Sequence, residues 1–102
     1  MINLTKEIIL DKLSQNKEII NKFGVKDLIL FGSFARDEQK KNSDIDFLVQ
    51  FETKRGLFDD YIGLLHYLED TFERKIDLGK KHLIREELKE EILGGILHAA
   101  KI

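Results

Sequence analysis

The chain of 102 residues predicts an α+β fold, a small mixed β-sheet of about three or four strands with helices packed on it. Three observations lead there. Segments with the two-residue alternation of a half-buried strand stand between segments with the three-to-four-residue apolar spacing of a helix. Glycines mark the joints, at Gly24, Gly32 and Gly56. No repeat, low-complexity tract or Pro/Ser-rich linker divides the chain, so residues 1–102 read as a single domain.

The elements follow in order. From Asn3 to Phe23, apolar residues at Leu4, Ile8, Leu13, Ile19, Ile20 and Phe23 approximate a helical spacing. Ser14, Gln15 and Asn16 interrupt it with residues that prefer caps and turns, which predicts two short helices, closed by Gly24. Val25–Phe31 ends in four consecutive apolar residues between glycines and reads as a buried strand. Ser33–Glu38 suggests one or two turns of helix, and Gln39–Ser43 a polar loop. Asp44–Phe51 alternates, with Ile45, Phe47, Val49 and Phe51 on one side and Asp44, Asp46, Leu48 and Gln50 on the other. After Gly56 a helix is expected, with a stripe of Leu57, Tyr61, Leu64, Leu68 and Phe72. Lys75–Gly79 reads as a short strand with Ile76 and Leu78 opposite Asp77. Leu83 to about Leu93 returns to helical spacing, and Gly94-Gly95 breaks it.

Composition excludes several function classes. Without a single cysteine there is no disulfide framework, thiolate zinc site or cysteine nucleophile. No apolar run approaches the roughly 20 residues of a membrane helix, and no charged-then-apolar leader opens the chain, so a soluble, cytoplasmic protein without membrane contact is expected. Seventeen basic side chains against nineteen acidic ones give a formal net charge of −2, which argues against coating nucleic acid by bulk charge; no direct nucleic-acid binding is expected. His66 and His98, placed in or near helical segments, match no ligand pattern and read as packing or surface residues.

The segment richest in chemistry runs from Gly32 to Asp46: Gly-Ser, ten residues, then Asp-Ile-Asp. A glycine after a buried strand permits a sharp turn and close approach of a ligand. Ser33 at the start of a short helix would offer free N–H groups and a hydroxyl to a phosphate. Arg36, one turn on, could flank the same anion or pin a neighbouring carboxylate. Asp44 and Asp46 occupy alternate strand positions, so both carboxylates leave one face beside a loop. Carboxylates that close raise each other's pKa unless a cation intervenes, and hard oxygen ligands suit Mg²⁺. Asp77 supplies a third carboxylate if its strand is a neighbour. An Asp-x-Asp or a Gly-Ser alone fits an ordinary strand face or turn; their conjunction with Asp77 favours two-metal phosphoryl or nucleotidyl transfer. Lys80, Lys81 and His82 follow Asp77 and read as a solvated loop within reach of a phosphate.

The string GSFARDEQKKNSDIDFLVQF, with KIDLG further on, resembles the minimal nucleotidyltransferase (MNT) family of the DNA polymerase β-like superfamily. Its pattern maps onto Gly32, Ser33, Asp44, Asp46 and Asp77 without a gap, and the likeness runs from about Phe23 to the C-terminal helical segment. The resemblance implies nucleotide binding at Gly32, Ser33 and Arg36, and catalysis through two Mg²⁺ ions held by Asp44, Asp46 and Asp77, with ATP as substrate. Chains of this size resemble MntA-type antitoxins of HEPN–MNT pairs, in which AMP is attached to a tyrosine of the HEPN ribonuclease toxin. One position departs from the pattern: Asp37 stands where the family usually has glycine. Two other functions fit the same chain, an antitoxin that masks its partner by stoichiometric binding and a small-molecule nucleotidyltransferase completed by a partner subunit.

Overall fold

Thr5 starts the first helix by accepting the Ile8 N–H on its hydroxyl at 3.3 Å, a side-chain cap for an otherwise unpaired donor. The structure, a computed structural model, describes residues 3–80 and the backbone of 97–101. In chain order its elements are α1 (Lys6–Gln15), α2 (Lys17–Lys22), β1 (Val25–Phe31), β2 (Ile45–Phe51), α3 (Phe58–Phe72), β3 (Ile76–Lys80) and β4 (Leu97–Lys101). The helical segment expected from Leu83, its Gly94-Gly95 break, and Lys81 and His82 lie outside the described residues.

Asn16 divides α1 from α2 as the polar interruption predicts: its backbone leaves helical geometry and its amide donates back to the Lys12 carbonyl at 2.7 Å. Ile9, Leu13 and Ile20 face the core, whereas Ile8 and Ile19, expected on the apolar stripe, are 38% and 39% exposed. Neighbouring residues lie about 100° apart around a helix, so only one of each isoleucine pair can point inward. Gly24 follows α2 with φ +78°, the left-handed conformation that ends a helix without steric cost.

The sheet has the order β3-β2-β1-β4. β1 is antiparallel to β2 and to β4, and β3 is parallel to β2, joined to it through α3. One face carries Leu28, Leu30, Ile45, Phe47, Val49, Ile76 and Leu78 against Ile9, Leu13, Ile20, Leu64 and Leu68 of the helices. Each such side chain contributes about 1.5–3 kcal/mol when fully buried, so this face holds the fold together. α3 buries Leu64 and Leu68 as its spacing predicts, with Tyr61 and Phe72 packed at the margin. Leu57 does not belong to the stripe: it lies before the helix with extended backbone and is 74% exposed.

Two findings on the sheet depart from expectation. β4 pairs Leu97 with Leu30, His98 with Ile29 and Ala100 with Leu28, so His98 lies on a strand. Lys80 is the last residue of β3, and its ammonium donates to the Gly56 carbonyl at 3.2 Å and lies 5.4 Å from the Tyr61 ring centroid. It locks the start of α3 to the end of β3 and is not part of a solvated loop. Among the described residues, no helix is long and apolar enough to cross a membrane.

Candidate functional site

Three strands bring their ends together at one edge of the molecule. β1 runs into this end with Phe31, while β2 and β3, running the other way, begin there. The register pairs Phe31 with Asp46 across β1/β2, and Asp46 with Asp77 across β2/β3. Since Ile45, Phe47, Ile76 and Leu78 fill the helix-covered core, Asp46 and Asp77 issue from the opposite face. The neighbouring strands that the sequence left conditional are thus in direct register at the two aspartates.

Gly32 follows Phe31 with φ +78°, and a side chain there would collide with the Asp46 carboxylate. Both the backbone conformation and the space require glycine. Of the one or two helical turns expected over Ser33–Glu38, the structure forms a single closed turn. Arg36 N–H donates to the Gly32 carbonyl (3.2 Å), Asp37 N–H to Phe34 (3.3 Å) and Glu38 N–H to Ser33 (2.8 Å). The last two bonds are the paired closure by which a helix terminates around a left-handed residue, and Asp37 is that residue, at φ +57°. The departure at position 37 therefore bears on backbone conformation: glycine adopts it freely, and aspartate is among the side chains that tolerate it. The Asp37 carboxylate turns to Lys6 on α1 at 3.2 Å. The turn is too short for a helix dipole. Its own bonds use the carbonyls of Gly32, Ser33 and Phe34 and leave the N–H groups of Ser33, Phe34 and Ala35 outside them.

Electrostatics distinguish Asp46. Partial burial raises its pKa from the ordinary carboxylate value, the charges of Asp77 and Asp44 raise it further, and Arg36 pulls it down. Arg36 is exposed and pairs with Glu38 at 3.1 Å, so it joins a surface ion pair while facing the acidic cluster. Asp44 lies 3.9 Å from the Lys75 ammonium. As the side chains stand, no three acidic or histidine groups among the described residues close on one point to hold an ion. The backbone brings Asp44, Asp46 and Asp77 to one sheet end, with the Lys75 ammonium beside Asp44. The oxygen-only donor set and the crowding at Asp46 fit a divalent cation such as Mg²⁺.

Sequence reasoning passes over Arg74 and Lys75. Arg74 donates through Nη1 to the carbonyls of Lys41 (3.0 Å) and Ser43 (2.8 Å), and its guanidinium lies 5.3 Å from the Phe34 ring centroid. Backbone carbonyls carry no residue identity, so nothing in the sequence signals these contacts.

The model of the nucleotidyltransferase domain family matches residues 7–97. A Methanocaldococcus jannaschii protein whose name assigns it to the protein adenylyltransferases is 41% identical over 83 residues, covering 78% of this chain and 83% of its own. Protein adenylyltransferase MntA of Thermococcus cleftensis is 34% identical over 85 residues, covering 83% of this chain and 85% of its own. Among solved structures, one described as a minimal nucleotidyltransferase superposes with a TM-score of 0.79 at 26% identity, over 95% of this chain and 98% of that one. An MNT antitoxin in complex with the tri-AMPylated HEPN toxin of Shewanella oneidensis shares the fold (TM-score 0.65, 14% identity, 96% of this chain and 74% of that one). With a glycine-serine turn facing registered aspartates on this sheet, and a family match spanning most of the sequence, the chain belongs to the nucleotidyltransferases.

Proposed function

We propose that this nucleotidyltransferase is a cytoplasmic protein adenylyltransferase that transfers AMP from ATP to a tyrosine of a cognate HEPN-type toxin and so acts as its antitoxin. The observation that carries the proposal is the register of Asp46 with Asp77 beside Gly32. The 34% identity to a protein adenylyltransferase, MntA, favours a protein as acceptor. The complex of the HEPN toxin with its MNT antitoxin shares only the fold with this chain; the toxin is proposed as the partner on that basis.

Asp44, Asp46 and Asp77 would hold two Mg²⁺ ions, which supply charge neutralisation on the triphosphate and an acidified acceptor hydroxyl. The chain's own residues do the rest. Gly32 keeps the space beside Asp46 open, and the N–H groups of Ser33, Phe34 and Ala35 with the Ser33 hydroxyl offer donors to phosphate oxygens. Arg36 adds positive charge on the same side. The tyrosine oxygen bonds to the α-phosphorus, the bond from that phosphorus to the bridging oxygen breaks, pyrophosphate leaves, and the phenolic proton passes to solvent. Catalysis here is positioning and charge stabilisation.

The test is transfer of labelled AMP from ATP to the purified toxin in the presence of Mg²⁺. Wild type should label the toxin, and Asp44→Asn with Asp46→Asn should lower labelling by about a thousandfold or more. If the double variant transfers no AMP yet still protects cells from the toxin, the chain acts by masking. Absence of labelling by wild type, with transfer to a small hydroxyl compound, would identify an acceptor of another class.

A further inference from the structure

Arg74 touches both other segments feeding the site, the loop before Asp44 and the turn after Gly32. It sits between α3 and β3, three residues before Asp77. Its Nη1 bonds to the carbonyls of Lys41 and Ser43 bracket the end of the loop that delivers Asp44. That loop is otherwise closed on itself, by the Ser43 N–H on the Lys40 carbonyl (3.0 Å) and the Lys40 N–H on the Ser43 hydroxyl (2.8 Å). The guanidinium also lies against Phe34, which is 1% exposed and follows Ser33 directly. Turn, loop and strand are thus pinned by one cation, over separations of 31 and 33 residues for the two hydrogen bonds.

We infer that Arg74 is a positioning residue that sets the placement of Asp44 relative to Asp77 and the Ser33 turn, and through it the affinity of the site for divalent metal and nucleotide. The inference rests on the assignment of Asp44, Asp46 and Asp77 as metal ligands. A guanidinium suits the role because it is planar and multiply donating: one nitrogen serves two carbonyls while the plane packs on an aromatic ring. A lysine ammonium can serve a carbonyl but not cover the ring with a flat face. Residues that orient ligands in this way typically change metal affinity by about 10–100-fold when removed.

The experiment titrates Mn²⁺ into the full chain with a non-hydrolysable ATP analogue and counts the free ion by electron paramagnetic resonance. Arg74→Ala should weaken Mn²⁺ binding by about tenfold or more, with millimolar guanidinium restoring much of it, and Arg74→Lys should fall between Ala and wild type. Arg55→Ala removes a comparable arginine clamp at the other end of the sheet and should bind Mn²⁺ as wild type does. Wild-type affinity in Arg74→Ala overturns the inference while leaving the ligand assignment intact. So does a loss that guanidinium does not rescue and that follows the melting temperature equally in Arg74→Ala and Arg55→Ala. A wild type that binds no Mn²⁺ overturns the ligand assignment and the role of Arg74 with it. Should Arg74→Ala not fold, Arg74→Lys decides: an affinity equal to wild type sinks the inference, and a reduced affinity with unchanged melting temperature supports it.

Discussion

The two ends of the sheet are built from the same parts and put them to opposite use. At the far end from the aspartates, Arg55 donates to both oxygens of Asp60 (2.9 and 3.0 Å) and to the Lys22 carbonyl (2.8 Å), and the Gly56 N–H adds a further bond to Asp60 at 3.0 Å. The carboxylate is satisfied on all sides, and its pKa falls to about 2 through the Arg55 hydrogen bonds first and the Gly56 N–H second. At the site end, Arg74 spends its donors on carbonyls, and Asp46 sits half-buried beside two like charges. Charges are paired at one end, whereas at the other a raised carboxylate pKa marks the crowding that the proposed cation would relieve. A glycine at positive φ stands at each end as well, Gly56 against the Phe51 ring and Gly32 against the Asp46 carboxylate.

The contrast can be tested, and the largest effect belongs to the glycines. Gly32→Ala and Gly56→Ala should each lose about 1–2 kcal/mol from the forced left-handed backbone, read as a lower melting temperature. Only Gly32→Ala should also abolish AMP transfer and Mn²⁺ binding, because its methyl group displaces Asp46. Equal metal binding in both variants would break the comparison.

The next effects are opposite in sign. Asp60→Asn removes a carboxylate whose pKa is lowered by folding, so it should lower the melting temperature at pH 7 by roughly 3–5 °C. That loss is fully present above the unfolded-state value near 4 and disappears as the pH falls through about 2, where Asp60 is protonated in both states. Asp46→Asn removes a carboxylate whose pKa is raised by folding. Without metal it should therefore stabilise the protein at pH 7, by a smaller amount, and the gain should vanish below about pH 4, where the group is protonated folded or unfolded. Melting curves of the two variants across this range should approach wild type in acid from opposite sides. If Asp46→Asn destabilises the metal-free chain at neutral pH, the crowding at the site end is already relieved.

The smallest change sharpens the meaning of position 37. Asp37→Gly relieves the left-handed φ of +57° but removes the exposed ion pair with Lys6, terms of about 1 kcal/mol and below that oppose each other. Its melting temperature should move by no more than a few degrees, and its transfer activity should stay near wild type. A large gain in activity would show that the Asp37 charge bears on the nucleotide.

Much of this was legible in the residues. The alternation in Asp44–Phe51 and in Lys75–Gly79 assigned the aspartates to the face away from the core, and Asn16 and Gly24 marked the helix ends, because these are local properties of backbone period and turn preference. β4 was not legible: Leu-His-Ala-Ala-Lys has little β-branched character, and the open edge of β1 supplies its pairing. Ser33–Glu38 was legible as one or two turns; that it stops at one follows from Asp37 entering the left-handed region.

By itself, then, the sequence determined which side chains could serve as ligands and which way each strand turns them, since a period of two is settled within a few residues of chain. Only the tertiary structure decided that Asp46 and Asp77 meet in register, that Arg74 bonds to the loop before Asp44, and that Lys75 lies beside Asp44. Those relations depend on how α3 packs and returns the chain to β3, a consequence of burying Leu64 and Leu68 against the sheet, and no local pattern encodes where two distant strands come to rest side by side.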